Sequence, residues 1–412
     1  MKVAYFDYWT GGIHNFALID SLLKAQGAHT ILLHIGSWND PSMLKQSGVI
    51  NGIYAEDISV HGTNHIFKVL KKIQPDVVVT LNTNYIMDRV VCLSCRLLKI
   101  RTVFMMHGDR VVDDQVIQKL LSKDSQSLWK KTKKASKYLK LTVPNYLNSL
   151  WNFDKSRVFN FAWLSILYQT FKHPQSYYPS NKDELIQDKC LVYANKYLNY
   201  YHEKIGYELK KIEVIGNPKH ERIFSLLANN GFDVAMLPAS VQGLVKAQKK
   251  YLLYIEDAFV EQQNSAGWTV EFRNDFIRDV ATALKLQGYE LVIKLHPCTL
   301  INTVLAPEEV LVFQKEDVDS LMFFSSGCIG FTSTVLTNCL LLDKPLFTPR
   351  WGKELPQIES EFLKKGVANA WMDLKDPVYF SINTAARENF FHEAISVNTT
   401  GSCQRICEII LE

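Results

Sequence analysis

Short runs of β-branched and apolar residues alternate with stretches of helical periodicity along almost the whole chain. This alternation is typical of a parallel sheet whose strands are joined by crossover helices. It forms two successive series, one ending near residue 218 and one beginning near residue 249. The pattern therefore predicts an α/β protein of two doubly wound, Rossmann-like domains that face a cleft.

The boundaries of these elements follow from periodicity and from the glycines, prolines and polar residues between the runs. Strands are predicted over 2–6, 30–34, 76–81, 102–106, 140–144, 190–194 and 211–215, and then over 250–255, 290–295, 310–313, 327–331 and 345–348. Helices are predicted over 13–26, 65–73, 270–286 and 334–342. We expect a first domain over 1–218, a hinge over 219–249 and a second domain over 250–412.

Composition narrows the class of protein further. Of the 412 residues 47% are hydrophobic, which excludes a mainly disordered chain. No apolar run approaches the ~20 residues of a spanning helix, and Met1 leads directly into a predicted strand, so we expect neither a span nor a leader. The eight cysteines then indicate reduced thiols in a cytoplasmic protein, with Cys92 and Cys95 in the core.

The net charge of +4 hides one lysine-rich segment, Lys119 to Lys140. Its eight lysines are interleaved with apolar residues. This pattern is typical of a basic amphipathic helix that binds an anionic membrane or polymer. A solvated helix face is the simpler alternative, and the charge does not indicate a nucleic-acid partner.

Polar and glycine residues gather where the predicted strands end, which is where open α/β sheets bind their ligands. These strand ends carry Gly11-Gly12, His107-Gly108-Asp109, Gly216-Asn217-Pro218, Glu256-Asp257, His296-Pro297 and Thr332-Ser333-Thr334. We expect the candidate site residues among them.

The His296-Pro297 pair is the most specific of these signals. Because Pro297 has no N–H and cannot extend the ladder, the imidazole of His296 is directed off the sheet, where it can contact a phosphate. A strand that ends on an incidental histidine is the alternative. His173-Pro174 follows no β-run, and we assign it no function.

Two other strand ends offer phosphate ligands. Thr332, Ser333 and Thr334 precede a predicted helix, so one hydroxyl is expected to cap the helix and the others are available to a phosphate. Gly11 and Gly12 open the first helix and allow close approach of a ligand, or form a plain tight turn.

Carboxylates and one further histidine are the candidates for proton transfer. Glu256 and Asp257 could split their pKa values and leave one as a base, and His107 and Asp109 hold the equivalent place in the first domain. Asp317-Val318-Asp319 matches a metal-binding D-x-D, but a helix-entry turn explains it better. We therefore predict no metal and no cofactor.

Taken together, these motifs resemble those of a known class of enzyme. The run 291–297 ending in His296-Pro297, the run 330–335 with Thr332 to Thr334 and the run 341–346 resemble the HP and S/T motifs of bacterial sialyltransferases and polysialyltransferases of the glycosyltransferase B fold. The same pair resembles that of the CDP-glycerol glycerophosphotransferases, and His107-Gly108 and Gly216-Asn217-Pro218 also match the pattern.

The resemblance implies an inverting, metal-independent transfer of a CMP-activated 2-keto sugar acid onto a bacterial surface glycan. His296, Ser333 and Thr334 would contact the phosphate of the cytidine nucleotide. In the sialyltransferases a D/E-D/E-G motif supplies the base, and Glu256-Asp257-Ala258 departs from it at the third position, which leaves Asp109 as a competitor.

Three alternatives remain open at this stage. A CDP-glycerol or CDP-ribitol phosphotransferase shares the motifs, and there His107 would be the stronger base. A UDP-sugar 2-epimerase shares the two-domain fold and needs no acceptor. A non-catalytic scaffold of capsule assembly would use the lysine-rich segment for docking.

Overall fold

The computed structural model divides into two compact units. Unit 1 comprises residues 1–218 with 393–412, and unit 2 comprises residues 219–392. The structure describes residues 1–38, 42, 47–83, 85–108, 128–155, 159, 163–164, 186–262, 268–351, 360–378, 381–395 and 400–412, with the side chains of 128–140 and 262 left out.

Each unit is built on one sheet. Unit 1 contains β1 (Lys2–Asp7), β2 (His29–His34), β3 (Gly48–Ile50), β4 (Ile53–Asp57), β5 (Val77–Thr80), β6 (Arg101–Met105), β7 (Lys189–Val192) and β8 (Ile212–Val214). Unit 2 contains β9 (Lys250–Ile255), β10 (Tyr289–Lys294), β11 (Leu311–Phe313), β12 (Gly327–Ile329), β13 (Leu346–Pro349) and β14 (Asn369–Trp371).

Helices connect the strands in both units. They are α1 (Ile13–Ala25), α2 (Ile66–Ile73), α3 (Ile86–Leu98), α4 (Leu128–Phe153), α5 (Pro218–Ala228), α6 (Ala239–Lys246), α7 (Phe259–Gln262), α8 (Val270–Leu286), α9 (Val318–Phe324), α10 (Leu336–Leu341), α11 (Glu361–Lys364), α12 (Thr384–Ala394) and α13 (Ser402–Leu411). In α8, for example, Thr269 caps the first turn and the buried residues recur on one face from Phe276 to Leu284, which packs on the sheet.

Both sheets are parallel and doubly wound, which confirms the predicted fold class. In unit 1 the order is β3-β4-β2-β1-β5-β6-β7-β8, and among these pairs only β3 and β4 run antiparallel. In unit 2 the order is β11-β10-β9-β12-β13-β14 with every pair parallel. The chain moves outward in one direction from β9 to β11 and in the other from β12 to β14. The topological switch point of unit 2 therefore lies between β9 and β12.

One predicted strand is wrong. Residues 140–144 lie inside α4, although Thr142, Val143 and Pro144 have the composition of a strand end. The buried residues of this part recur at helical spacing, at Thr142, Tyr146 and Ser149, and the helix packs against α3. Tertiary packing therefore overrides the local preference. The strands β3, β4 and β14 have no counterpart in the prediction.

The domain boundaries also differ from the expected ones. Residues 393–412 belong to unit 1, because α13 packs against α1 and Arg405 donates to the carbonyl of Ile215 at 2.7 Å. The expected hinge over 219–249 contains most of α5 and all of α6 and belongs to unit 2. The division between the units falls after Pro218.

The cysteine and membrane expectations can be compared with the described residues. Cys92 and Cys95 are buried on α3, as predicted for core thiols, and burial raises the pKa of both. Over the described ranges, none of the helices is both long and apolar enough to cross a membrane.

Candidate functional site

The candidate site of unit 2 lies at the carboxyl edge of its sheet, on both sides of the switch point. Glu256 and Asp257 follow β9, His296 and Pro297 follow β10, and Thr332 comes shortly after β12. The structure brings these five residues together, since β10, β9 and β12 are adjacent strands. Ligands of doubly wound sheets bind at this position.

Glu256 holds the turn that carries His296. Its Oε2 accepts the backbone N–H of His296 at 3.3 Å and the hydroxyl of Thr299. The carbonyl of His296 in turn accepts the N–H of Thr299 at 3.0 Å, which closes the turn. The carboxylate is only 2% exposed, so its position suits anchoring of this turn better than contact with a substrate.

The imidazole of His296 has a defined orientation. Its Nδ1 accepts the backbone N–H of Cys298 at 3.1 Å. Because Nδ1 is an acceptor, the neutral ring carries its proton on Nε2, and Nε2–H is a hydrogen-bond donor. The side chain is half-buried. His296 can therefore donate to an oxyanion at the edge of the sheet.

Gln314, which follows β11, fixes the other side of the same turn. Its amide nitrogen donates to the carbonyls of Thr299 at 2.8 Å, His296 at 3.1 Å and Pro297 at 3.3 Å. Pro297 itself is exposed. The histidine turn is thus held from both neighbouring strands, which limits the loss of conformational entropy when a ligand binds.

Asp257 makes the corresponding contacts on the other side of β9. Its carboxylate accepts the hydroxyl of Thr332 at 2.9 Å and the backbone N–H groups of Thr332 at 3.3 Å and Phe331 at 3.4 Å. Burial raises the pKa of Asp257 to about 6, although these hydrogen bonds act in the opposite direction. The paired carboxylates therefore hold the loops that follow β10 and β12, the two strands on either side of β9.

The residue after this pair adopts a backbone conformation that favours glycine. Ala258 has φ of +52°, in the left-handed region, and its side chain is fully buried. Ala258 therefore adopts a conformation that residues other than glycine rarely adopt.

The hydroxyl residues differ from the prediction in one respect. The cap position of α10 is Val335, and no side chain caps the helix, because the carbonyls of Ser333 and Thr334 accept the first N–H groups. The hydroxyl of Thr332 binds Asp257 instead. Ser333 is half-buried and Thr334 exposed, so both lie near the edge, and their contact with a phosphate stays a prediction.

An arginine that the sequence analysis missed lies beneath the histidine turn. Arg273 of α8 is fully buried, with its Nη1 2.9 Å from Glu261 and 3.9 Å from Glu256. Its Nη2 also donates to the hydroxyl of Thr303 at 2.6 Å. Buried charges of this kind are retained only when they are paired, so this network fixes the base of the site.

The glycine pair of unit 1 is required by packing. A Cβ on Gly12 would lie 2.0 Å from Oδ2 of Asp7 and 2.8 Å from Cδ1 of Leu81. A Cβ on Gly11 would lie 2.3 Å from the ring of Trp9. The close approach is therefore to the protein's own side chains, and a contact of the pair with a ligand stays a prediction.

Asp7 is the acidic residue that the sequence analysis missed in unit 1. It ends β1, is 4% exposed, and accepts the N–H of Tyr8 at 2.8 Å. Burial raises its pKa to about 6, while the N–H groups of Tyr8 and Gly12 act to lower it. In the sequence, Asp7 is recognisable only as a single acidic residue at the end of an apolar strand.

Gly12→Ala is expected to destabilise unit 1 by about 1–3 kcal/mol, because the added methyl group must displace the buried Asp7 carboxylate. The measurement is urea denaturation with hydrogen exchange on peptides of β1 and α1. Gly108→Ala is the matched control, since its Cβ would meet nothing within 4 Å, and it should change stability by less than about 0.5 kcal/mol. Equal effects of the two changes would contradict the packing argument.

The remaining candidates of unit 1 are only partly described. His107 is half-buried and follows β6 at the carboxyl edge of the sheet. Asp109 lies outside the described residues, as do Lys119 and Lys123 and the side chains of the other lysines up to Lys140. The predicted contact of this segment with an anionic surface stays a prediction.

The D-x-D sequence forms a helix entry, as the sequence indicated. Asp317 caps α9 by accepting the N–H of Ser320, and Arg222 bridges Asp317 and Asp319 at 2.8 Å each. Over the part of the chain that the structure describes, three or more His, Cys, Asp or Glu side chains nowhere form a group that could hold a metal ion.

Comparison with known proteins identifies the fold. The wall teichoic acid polymerase TagF, in a variant with one histidine replaced by asparagine, is 13% identical over 100% of this chain and 88% of that chain, with a TM-score of 0.56. The UDP-GlcNAc 2-epimerase of Methanocaldococcus jannaschii, with UDP-GlcNAc and UDP, is 15% identical over 100% and 99%, with a TM-score of 0.51.

A third similar structure is that of S. aureus MnaA with UDP, which is 12% identical over 98% of this chain and 94% of that chain, with a TM-score of 0.50. No family model and no curated protein sequence matches the chain. At these identities the likeness shows the fold alone. The chain has the glycosyltransferase B fold, with two Rossmann-like units.

Proposed function

We propose that the chain is a transferase that uses a nucleotide-activated donor and holds the donor phosphate at the carboxyl edge of unit 2. The observation that carries the proposal is the orientation of His296, whose Nδ1 is occupied by the N–H of Cys298 and whose Nε2–H is left as a donor. An imidazole donor on a turn fixed from both sides suits a phosphate oxygen.

The structural likeness to TagF supports a cytidine nucleotide with glycerol phosphate as the donor. One TagF structure is described as soaked with CDPG, and it matches this chain with a TM-score of 0.54. In such a reaction an acceptor hydroxyl attacks the β-phosphorus, the bond from phosphorus to the CMP oxygen breaks, and CMP leaves. His107 is the base that we expect to take the hydroxyl proton.

The contacts of the carboxylate pair favour this phosphotransfer over glycosyl transfer. Glu256 is occupied with the turn of His296, and Asp257 accepts three hydrogen bonds from the segment at Thr332. A carboxylate whose oxygens already anchor a loop is poorly placed to take a proton from an acceptor. The main candidate is therefore a phosphotransferase of the CDP-glycerol type.

Glycosyl transfer from a CMP-activated 2-keto sugar acid is the second candidate. It is favoured by Asp257, because a carboxylate with its pKa raised to about 6 is a stronger base than an ordinary one and is ionised at neutral pH. Here the acceptor oxygen attacks the anomeric carbon and the bond from that carbon to the phosphate oxygen breaks. CMP leaves, and the proton goes to the carboxylate.

His296→Ala is expected to weaken the binding of CMP and CDP at least tenfold, because it removes a charge-assisted hydrogen bond to the phosphate. The measurement is isothermal titration calorimetry on the full chain. His392→Ala, at an exposed histidine in the same unit, is the matched control and should leave the affinity unchanged. Unaltered nucleotide affinity in the His296→Ala variant would exclude the proposed phosphate site.

A panel of donors separates the candidate reactions. Release of CMP is measured from CDP-glycerol, CDP-ribitol, CMP-sialic acid and CMP-Kdo, each with and without a glycan acceptor and with and without EDTA. Conversion of UDP-GlcNAc is measured in the same way. The proposal expects release from CDP-glycerol or CDP-ribitol that survives EDTA and falls in a His107→Ala variant. Release from the CMP-sugars alone would support the second candidate, and conversion of UDP-GlcNAc without acceptor would support an epimerase.

A further inference from the structure

Four polar side chains of unit 2 lie at the same level along the carboxyl edge of the sheet. When the strand register is continued past the strand ends, His296 falls level with Asp257, Asp257 with Thr332, and Thr332 with Arg350. The contact of 2.9 Å between Thr332 and Asp257 agrees with this register. We call His296, Asp257, Thr332 and Arg350 the edge row.

The edge row also lies on one face of the sheet. One chain neighbour of each member lies on the face covered by α8; these neighbours are Glu256, Leu295, Phe331 and Trp351. Glu256 is near Arg273 of α8, and Trp351 stacks on Phe276 of the same helix. Leu295 and Phe331 belong to the core cluster between the sheet and α8. Successive side chains of a strand point to opposite faces. Continued past the strand ends, this alternation directs the edge row to the other face.

Arg350 is the member of the row whose side chain is held by no polar contact among the described residues. Its backbone N–H donates to the carbonyl of Trp371 at 2.7 Å, which continues the pairing of β13 with β14 and fixes its position. The side chain is half-buried, and across the described residues its guanidinium takes part in no hydrogen bond or ion pair. The other arginine near this edge, Arg273, is instead bound to Glu261 and Thr303.

We propose that Arg350 binds a second oxyanion of the donor, one that lies beyond the phosphate held by His296. The proposal rests on the proposed function and adds to it a residue that binds the second anionic group of the donor. The guanidinium is a planar fork of N–H donors that matches phosphate and carboxylate oxygens in pairs.

The spacing of the row fits a ligand with two such groups. His296 and Arg350 are three strand spacings apart, or about 14 Å between their Cα atoms. Histidine and arginine side chains reach well beyond their Cα atoms, so two oxyanions bound by His296 and Arg350 can lie closer together than the Cα atoms. Asp257 stands between them, and its oxygens accept the backbone N–H of Phe331 and the hydroxyl of Thr332.

Two donor classes provide this chemistry. The β-phosphate of a cytidine diphosphate is one source of the second oxyanion, and the carboxylate of a CMP-activated sugar acid is the other. CMP alone has neither. The binding of CDP, of CMP-sialic acid and of CMP is therefore compared, by calorimetry, between the natural chain and the Arg350→Gln and Arg350→Lys variants.

Arg350→Gln is expected to weaken binding of CDP or of CMP-sialic acid about tenfold or more, and that of CMP less than threefold. A loss limited to CDP identifies a phosphate as the second oxyanion, and a loss limited to CMP-sialic acid identifies a carboxylate. Arg350→Lys keeps the charge and should retain part of the affinity. Arg278→Gln, at an exposed arginine of α8, is the control and should change nothing.

The outcomes separate this proposal from the one that it rests on. If His296→Ala weakens the binding of all three ligands and neither Arg350 variant weakens the binding of any, Arg350 does not bind a second oxyanion. The phosphate site at His296 is then still supported. If the natural chain binds none of the three ligands, the proposed function fails, and the role of Arg350 fails with it. An Arg350→Gln variant that weakens CMP as strongly as CDP would also overturn the second-oxyanion assignment.

Discussion

Arg273→Leu is expected to lower the free energy of unfolding of unit 2 by about 3–5 kcal/mol, which is the usual cost of removing one partner from a buried ion pair. Arg273 is fully buried, and Glu261 and Glu256 lie 2.9 Å and 3.9 Å from its Nη1. Leucine would leave both carboxylates facing an apolar side chain. Since Glu256 also holds the turn of His296, nucleotide binding should weaken together with stability.

The measurement is urea denaturation combined with hydrogen exchange on peptides that cover β9, β10 and α8. Arg278→Leu is the matched control on the same helix, because Arg278 forms an exposed pair with Asp275 and should contribute less than about 1 kcal/mol. A similar effect of both changes would mean that packing by the arginine stem, and not the buried charge, stabilises the unit.

A triple variant tests the physical cause of the loss. Glu256→Gln and Glu261→Gln in the Arg273→Leu background remove the two uncompensated charges, while the amide oxygen introduced at position 256 can still accept from the turn at Thr299. Stability should then recover in part, because the cost lies in unpaired buried charge and not in the absence of the ion pair. No recovery would contradict that explanation.

The location of the site followed from the sequence because strand ends have local signals. His296-Pro297 ends an apolar run with a residue that cannot extend a ladder, and Glu256-Asp257 ends another. In a doubly wound fold, the carboxyl ends of neighbouring strands meet at one edge of the sheet. Residues that are distant in the chain could therefore be assigned to one site from the sequence alone.

The role of each residue within the site did not follow from the sequence. Glu256 is an anchor because it contacts Thr299, the backbone N–H of His296 and Arg273. Arg273 lies 17 positions away in the sequence, on a helix. Periodicity shows which face Arg273 occupies but not which groups it pairs with there. Arg350 was missed because a single arginine after a strand carries no local signal; only the register of four strands groups it with His296.

The same limit explains the elements that were missed. The segment at 140–144 has β-branched residues and a proline, and only its packing against α3 shows that it is helical. Residues 393–412 come last in the chain yet pack with unit 1 through Arg405 and Ile215. Contacts between distant parts of the chain decide both features.

The carboxyl groups with raised pKa are expected to lower the free energy of unfolding as the pH rises from 4 to 7. Burial raises the pKa of Asp257 and of Asp7 from 3.8 to about 6, so between these values the folded chain binds more protons than the unfolded chain. Stability therefore decreases with rising pH across this window, by about 3 kcal/mol for each carboxyl group. Asp319, whose pKa burial also raises, acts in the same direction.

The Asp257→Asn variant isolates one of these contributions. Its pH-dependent loss should be smaller than that of the natural chain by about 3 kcal/mol in unit 2, and Asp7→Asn should have the same effect in unit 1. Urea denaturation from pH 4 to pH 7.5, with hydrogen exchange to assign the unit, measures both. An Asp257→Asn variant with an unaltered pH slope would contradict the raised pKa.

Carboxyl groups with a lowered pKa act in the opposite direction, and Asp57 is one of them. Asp57 is fully buried, and burial alone would raise its pKa, but hydrogen bonds from His34 and Ser59 outweigh that effect and lower the pKa below the ordinary value. Its contribution to stability is present above pH ~4 and is lost as the pH falls further. A base at Asp257 needs a pH above about 6, where its carboxylate is ionised. A chain that uses Asp257 as its base is therefore active at a pH at which the ionised carboxylate destabilises the fold. If the Asp257→Asn variant is as active as the natural chain at neutral pH, Asp257 only anchors Thr332.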